Sequence, residues 1–173
     1  MKILFASDIH GYPFAVERLE EHIVSFQPDR IVLLGDLLDE SSPEAVPELL
    51  NRHAGIMTAV QGNCDYPRAL SRLQFPVFPE YTTLTADGHV FFLTHGHFWS
   101  PRNPPPFGTG DILCSGHTHI PMAERTSYGM VAFNPGSLAL PRRDYPESFG
   151  LYENNTLSVL SLEVASPITT LSL

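Results

Sequence analysis

What most constrains this chain is the alternation of short apolar runs with amphipathic segments over its first third. "KILFAS" (2–7) is an apolar run closed by a polar turn, the pattern of a buried strand. "PFAVERLEEHIVSF" (13–26) carries Phe14, Val16, Leu19, Ile23, Val24 and Phe26 with charged residues between them. That is an amphipathic helix with Pro13 in its first turn. "RIVLLG" (30–35) predicts a second strand, and "PEAVPELLNRH" (43–53) a helix that Pro47 either begins or kinks. "IMTAVQG" (56–62) predicts a third strand. Strand, helix, strand, helix, strand reads as a parallel βαβαβ unit.

After residue 74 the pattern changes. "YTTLTADGHVFFLTH" (81–95) alternates around Asp87-Gly88, a hairpin signal. "DILCSG" follows, then "MAERTSYGMVAFN" (122–134) with a turn near Tyr128-Gly129, then "SFGLYENNTLSVLSLE" (148–163) turning at Asn154-Asn155. The second half is expected to be mostly antiparallel strand. Together the halves predict an α/β fold, a two-sheet β-sandwich flanked by helices, in a single domain over 1–173. The length of 173 residues suits one domain with a sizeable core. "SPRNPPPFGTG" (100–110) reads as a surface loop, either a connector or a lid or partner contact. Exposed strands in the second half offer edges for a homodimer.

The formal charge of −9, with Lys2 the only lysine, argues against a nucleic-acid polymer surface, which needs a basic stripe. Carboxylates gathered around divalent cations would offset part of that charge locally. No run approaches the roughly 18 apolar residues of a membrane span, and no signal peptide is visible at the start. Cys64 and Cys114 are too few for a disulfide framework; reduced thiols in a cytoplasmic protein are expected.

The chemistry lies where the strands stop. The first ends in "SDIHG" (Asp8, His10), the second in "GDLLD" (Asp36, Asp39) and the third in "GNCD" (Asn63, Cys64, Asp65). The hairpin's return strand ends in "THGH" (His95, His97) and the next in "GHTH" (His117, His119). Residues two apart on an extended backbone point the same way, so Asp8 with His10, and His117 with His119, are expected to converge. Ligands of open α/β sheets gather beyond the carboxyl ends of the strands. Carboxylate, imidazole and amide oxygen together suit Mn²⁺, Fe²⁺, Zn²⁺ or similar ions.

Each piece also has an ordinary reading. Asp8 and His10 can cap the next helix, "GDLLD" and the Gly-Asn before Cys64 are common turns, and His22, His53 and His89 fit helix surfaces and a hairpin. Their conjunction, always at strand ends, is what makes accident improbable.

The order D-x-H, G-D-x-x-D, G-N-x-D, H-G-H, G-H-x-H resembles the calcineurin-like metallophosphoesterase superfamily. "FASDIHG", "QGNCD", "LTHGH", "GHTH" and "FNPGS" most resemble its small bacterial YfcE-type phosphodiesterases. The resemblance spans nearly the whole chain and implies the four-layer αββα form of the sandwich. It implies two divalent metal ions, foremost Mn²⁺, with Fe, Zn, Ni or Co as alternatives. Asp8, His10, Asp36 and His119 would hold the first, and Asp36, Asn63, His95 and His117 the second, Asp36 being shared. A metal-bridging hydroxide would then attack the phosphorus of a small phosphodiester. His97 is either a near neighbour of that site or a turn residue, and "NPGS" (134–137) either a loop near the site or a strand-capping turn.

Many members of the superfamily carry histidine where this chain has Cys64, positioned by the next acidic residue, here Asp65, to protonate the leaving group. A thiol is a weak donor, so either leaving groups must be acidic or Cys64 only fills space. Asn63, Cys64, Asp65 and His97 are therefore the candidates for catalysis beyond the metals. Two rival functions share the fold: a non-catalytic scaffold binding a partner, and a phosphomonoesterase or dinucleoside polyphosphate hydrolase.

Overall fold

The computed structural model describes residues 1–106, 108 and 110–173; Phe107 and Thr109, within the loop expected over 100–110, lie outside the described residues. The first half forms β1 (Ile3–Ala6), α1 (Pro13–Phe26), β2 (Arg30–Leu33), α2 (Ala45–Asn51), β3 (Met57–Val60), α3 (Pro67–Leu70) and β4 (Val77–Phe78). The second half forms β5 (Tyr81–Ala86), β6 (His89–Thr94), β7 (Ile112–Cys114), β8 (Met122–Arg125), β9 (Val131–Asn134), β10 (Ser148–Glu153), β11 (Thr156–Ser161) and β12 (Pro167–Ser172).

The first sheet has the order β12-β11-β10-β1-β2-β3-β4 and the second β5-β6-β7-β9-β8. β1 through β4 are parallel, Phe5 lying opposite Val32 and Val32 opposite Thr58, as the βαβαβ pattern predicts. The C-terminal hairpin does not stay with the second half: β10 joins β1 antiparallel, Leu4 opposite Leu151. The second sheet is also less antiparallel than expected. β6 with β7 and β7 with β9 are parallel pairs, because each is joined by a connection long enough to cross over.

Apolar periodicity sets the layers. On one face of the first sheet, Leu4, Ala6, Ile31, Leu33, Met57 and Ala59 meet the helices through Val16, Leu19, Val46 and Leu50. Phe14 and Val24, grouped with the apolar face of α1 by sequence, instead face solvent, being off the stripe that Val16, Leu19 and Ile23 share. Pro47 is buried in the first turn of α2, where its missing N–H costs nothing. Between the sheets, Phe5 meets Phe91 at 6.1 Å and Phe133 at 5.2 Å, with Tyr152 edge-on to Phe91. The outer face of the second sheet (Phe92, Leu113, Met130) is covered by Trp99 from the loop after β6. The sandwich flanked by helices is thus present, with all three α-helices among the described residues on the first sheet's side.

Gly150 in β10 faces the inter-sheet core, where a side chain has no room. A Cβ there would stand 2.5 Å from Phe133 Cζ and 3.1 Å from Phe5 Cβ. Gly150→Ala is expected to cost about 1–3 kcal/mol through overpacking, read as a lower urea midpoint at unchanged slope. A variant as stable as the parent would mean that the Phe133 ring is not confined.

Candidate metal centre

The ends of β1 and β2 do not fray. Beyond the strands the two chains stay hydrogen-bonded, Asp8 N to Gly35 O at 3.0 Å, His10 N to Asp36 O at 2.9 Å and Gly11 N to Leu37 O at 3.0 Å. Along this path Asp8, His10 and Asp36 have φ of 54°, 49° and 53°, and His117 and His119 have 63° and 59°. Convergence of the candidate ligands therefore comes from left-handed turns and not from the extended backbone that two-residue spacing implied. Such conformations are costly for side chains larger than glycine and persist where surrounding bonds over-determine them.

Asp65 supplies much of that determination. It is buried, and its Oδ2 accepts from Gly62 N at 2.7 Å and Asp36 N at 2.9 Å. Its Oδ1 accepts from Leu37 N at 2.6 Å and Leu38 N at 3.0 Å. One carboxylate thus ties the loop after β2 to the loop after β3. The expected role beside Cys64 is not what this geometry provides: the carboxylate is taken up by backbone amides. From the second sheet, Gly116 approaches so closely that a Cβ would lie 1.8 Å from Ser7 Oγ, which seats the loop after β7 against β1.

Candidate donors meet on this floor. Ligand atoms of Asp8, His10 and His119 lie within 4.8 Å of one another, as do those of Asp8, Asp36 and His95, and of His10, Asp36 and Cys64. His119 Nε2 stands 3.2 Å from Asp8 Oδ1. Asp36 Oδ2 stands 3.4 Å from His95 Nε2 and 3.8 Å from His10 Nε2. His95 Nε2 is also 3.1 Å from Asn63 Oδ1. The His117 ring centre lies 5.1 Å from that of His95, but its nitrogens fall outside the three tight groups. His97 flanks the cluster, 5.4 Å from His95 and 6.2 Å from His117. Asp39 holds its own turn, its Oδ1 accepting from Ser41 N, Ser41 Oγ and Ser42 Oγ.

These residues fit divalent cations. Asp8 Oδ1 and His10 Nε2 are buried with no hydrogen-bond partner, a costly state that a cation between them would relieve. His95 Nδ1 donates to Leu34 O at 2.7 Å and His119 Nδ1 to Leu140 O at 2.5 Å. Each bond fixes the tautomer and turns the Nε2 lone pair toward the cluster, as a metal ligand requires.

Charge at the site is strongly coupled. Burial opposes ionisation of Asp36, but the His95 hydrogen bond and charge and the Cys64 backbone N–H hold its carboxyl well below the usual range. Burial lowers the His95 pKa, yet its bond to Asp36 and the charges of Asp8 and Asp36 raise it overall. Burial and then the Asp36 charge push the Cys64 thiol up to about 11, so it keeps its proton at neutral pH. Cys64 is exposed and Cys114 buried, and both are free thiols.

Of the two readings of "NPGS", a loop near the site is the one its contacts support. Ser137 Oγ donates to Asp8 O at 2.9 Å and accepts from Leu140 N at 2.8 Å, while Asn134 Nδ2 donates to Gly116 O at 2.7 Å. The "NPGS" turn therefore braces the loops after β1 and β7. No signal in the residue types identifies Leu34 or Leu140, which act through their carbonyls.

Residues 1–156 match the calcineurin-like phosphoesterase superfamily domain. The chain belongs to that superfamily. It is 38% identical to phosphodiesterase YfcE of Escherichia coli strain K12, with 97% of this chain and 96% of YfcE covered. It is 28% identical to the probable metallophosphoesterase YsnB of Bacillus subtilis strain 168, with 92% and 89% covered. The solved structure of YfcE, a phosphoesterase from E. coli, superposes with a TM-score of 0.95 at 37% identity, covering 99% of each chain.

Asp65→Ala would leave four buried N–H groups without an acceptor. A loss of about 3–5 kcal/mol in chemical denaturation is expected, together with weaker metal binding by calorimetry. Full stability in this variant would show that the two loops are held by other contacts.

Proposed function

We propose that the protein is a metal-dependent phosphodiesterase of small diesters, with two ions held in one cluster. The observation that carries this reading is Asp36: one buried carboxylate faces His10 on one side and His95 on the other. Asp8, His10, Asp36 and His119 would hold one ion, and Asp36, Asn63, His95 and His117 the other. Mn²⁺ is the ion we propose, since mixed carboxylate, imidazole and amide donors suit it better than Mg²⁺. A pair of divalent ions lowers the pKa of water toward neutrality and neutralises phosphoryl oxygens.

The chain's own groups do the rest. Leu34 O and Leu140 O hold His95 and His119 in one tautomer, so neither of these two imidazoles must reorient when the site fills. The Cys64 N–H, donating to Asp36 Oδ1 at 2.8 Å, fixes the shared carboxylate. Cys64 offers a protonated but weakly acidic thiol on the open side, which favours diesters of acidic alcohols over those with poor leaving groups. Completeness of the donor set supports an enzyme over a scaffold of the same fold. A single domain over 1–173 in the cytoplasm accords with two free thiols and with no described helix long and apolar enough to cross a membrane.

Hydrolysis of bis-p-nitrophenyl phosphate in Mn²⁺, abolished by chelator and exceeding that of the monoester, is the expected result. Preference for the monoester would replace the reading with a phosphomonoesterase, and inertness toward both would favour the scaffold. Asp36→Asn should lower turnover by about 100-fold or more and weaken binding of both ions. Metal analysis showing two ions retained at near-normal turnover would remove Asp36 from the shared position. Cys64→His should raise activity on diesters with poor leaving groups by about tenfold or more, selectivity between good and poor leaving groups being the measurement. Unchanged selectivity would reduce Cys64 to a space-filling role.

A further inference from the structure

One of the three close donor groups differs in kind from the other two. A ligand atom of each of His10, Asp36 and Cys64 lies within 4.8 Å of the others, and of the three groups this one alone contains sulfur. The proposed pair of catalytic ions uses His10 and Asp36 but leaves Cys64 out. His10 follows β1, Asp36 follows β2 and Cys64 follows β3, so three separate turns bring the set together.

Two further observations point to a cation there. A small cavity of about 40 Å³ is lined by His10, Asp36, Leu38, Asp39 and Cys64. That volume admits one ion with a water or two and no organic group. Its donors are also incompletely satisfied. His10 Nε2 is buried without a hydrogen-bond partner. Asp39 uses only Oδ1 in its turn, toward Ser41 and Ser42, and its Oδ2 has no partner among the described residues. The sulfur is already oriented by its neighbour, since Asn63 Nδ2 donates to Cys64 Sγ at 3.3 Å. Such outer contacts hold a ligand atom in place for its metal.

We propose that His10, Asp36 and Cys64, with Asp39 as the fourth donor, form an inhibitory site for a thiophilic divalent cation of the Zn²⁺ class, which competes with the first catalytic ion for His10 and Asp36. Thiolate, imidazole and carboxylate are the ligand types of tetrahedral zinc sites, whereas Mn²⁺ favours oxygen donors over sulfur. Zn–S and Zn–N bonds of about 2.3 and 2.0 Å are reached by a small inward turn of the exposed Cys64 side chain. The thiol releases its proton to solvent as the sulfur–metal bond forms, and nothing is oxidised or reduced. Because two ligands are common to both positions, filling one empties the other. The protein is then active with Mn²⁺ and silenced by Zn²⁺. The proposal rests on the metal centre of the phosphodiesterase reading and adds its control by metal identity.

The test titrates Cd²⁺, a spectroscopic probe of the same class, into the Mn²⁺-loaded protein and reads the ultraviolet charge-transfer band of a sulfur–cadmium bond. The band is expected in the parent and absent in Cys64→Ser, since Cys114 is buried between the sheets. By calorimetry, Cys64→Ser should weaken Zn²⁺ binding by about tenfold or more while changing Mn²⁺ binding by less than about twofold. In hydrolysis of bis-p-nitrophenyl phosphate, Zn²⁺ should inhibit the Mn²⁺-loaded parent and yield to excess Mn²⁺. Cys64→Ser should need about tenfold more Zn²⁺ for the same fractional loss of its own activity. A parent without the band, a band that survives in Cys64→Ser, or equal Zn²⁺ affinity in both proteins would overturn the proposal. If bis-p-nitrophenyl phosphate is not hydrolysed, the phosphodiesterase reading fails instead, and the band and the calorimetry still decide whether Cys64 binds the cation.

Discussion

The carboxylate of Asp65 is the interaction on which the centre depends. Four backbone N–H groups from two separate loops converge on its two oxygens, and those loops carry Asp36, Asn63 and Cys64. Burial raises its pKa, while the N–H groups of Gly62, Leu38 and Leu37 favour the charged form. A buried carboxylate with so many donors is a structural anchor, seconded by the Cys64 N–H on Asp36 Oδ1 and by Arg72 on Ser42 O. The close approach of these loops requires glycine at 62, where a Cβ would lie 2.1 Å from Asp36 Oδ1.

Anchoring permits strain. Five of the seven proposed ligands, Asp8, His10, Asp36, His117 and His119, sit in left-handed backbone conformations. Each costs on the order of 1–2 kcal/mol for a residue with a Cβ. The cost is offset by the bonds between the loops after β1 and β2 and by the braces from Ser137 and Asn134. What the strain accomplishes is geometric: a tight left-handed turn places side chains from one loop toward the same cavity, where a regular strand would send alternate residues to opposite faces.

The parts legible in the sequence were those with local periodicity or local chemistry. The βαβαβ unit, the hairpin at Asp87-Gly88 and the donor sets at five strand ends follow from patterns that each residue carries with its neighbours. What was not legible is long-range. Nothing local states that β10 pairs with β1, or that β6, β7 and β9 run parallel, since these are decided by how sheets close over Phe5, Phe91 and Phe133. β12 carries a strand signal in Ile168, Thr169 and Thr170, whereas β4 is two residues long and α3 four, too short for any period. The role of Asp65 was hidden for a related reason: a residue type names the chemistry a side chain can do, and only geometry says whether backbone amides have already claimed it.

Rigidity and exposure divide the labour at this site. Asp8, Asp36, His95 and His119 are buried and bonded on their far sides, so their positions are set before anything binds. Asn63 and Cys64, on the loop after β3, are exposed. Chemistry that depends on fixed distances belongs to the first group, because preorganised donors need no rearrangement in the transition state. At the exposed Cys64 a change of side chain alters contacts on the rim without disturbing that floor. Cys64 shows the division within one residue: its backbone N–H donates to Asp36 Oδ1 whatever side chain it carries, so a change of that side chain leaves the shared carboxylate held.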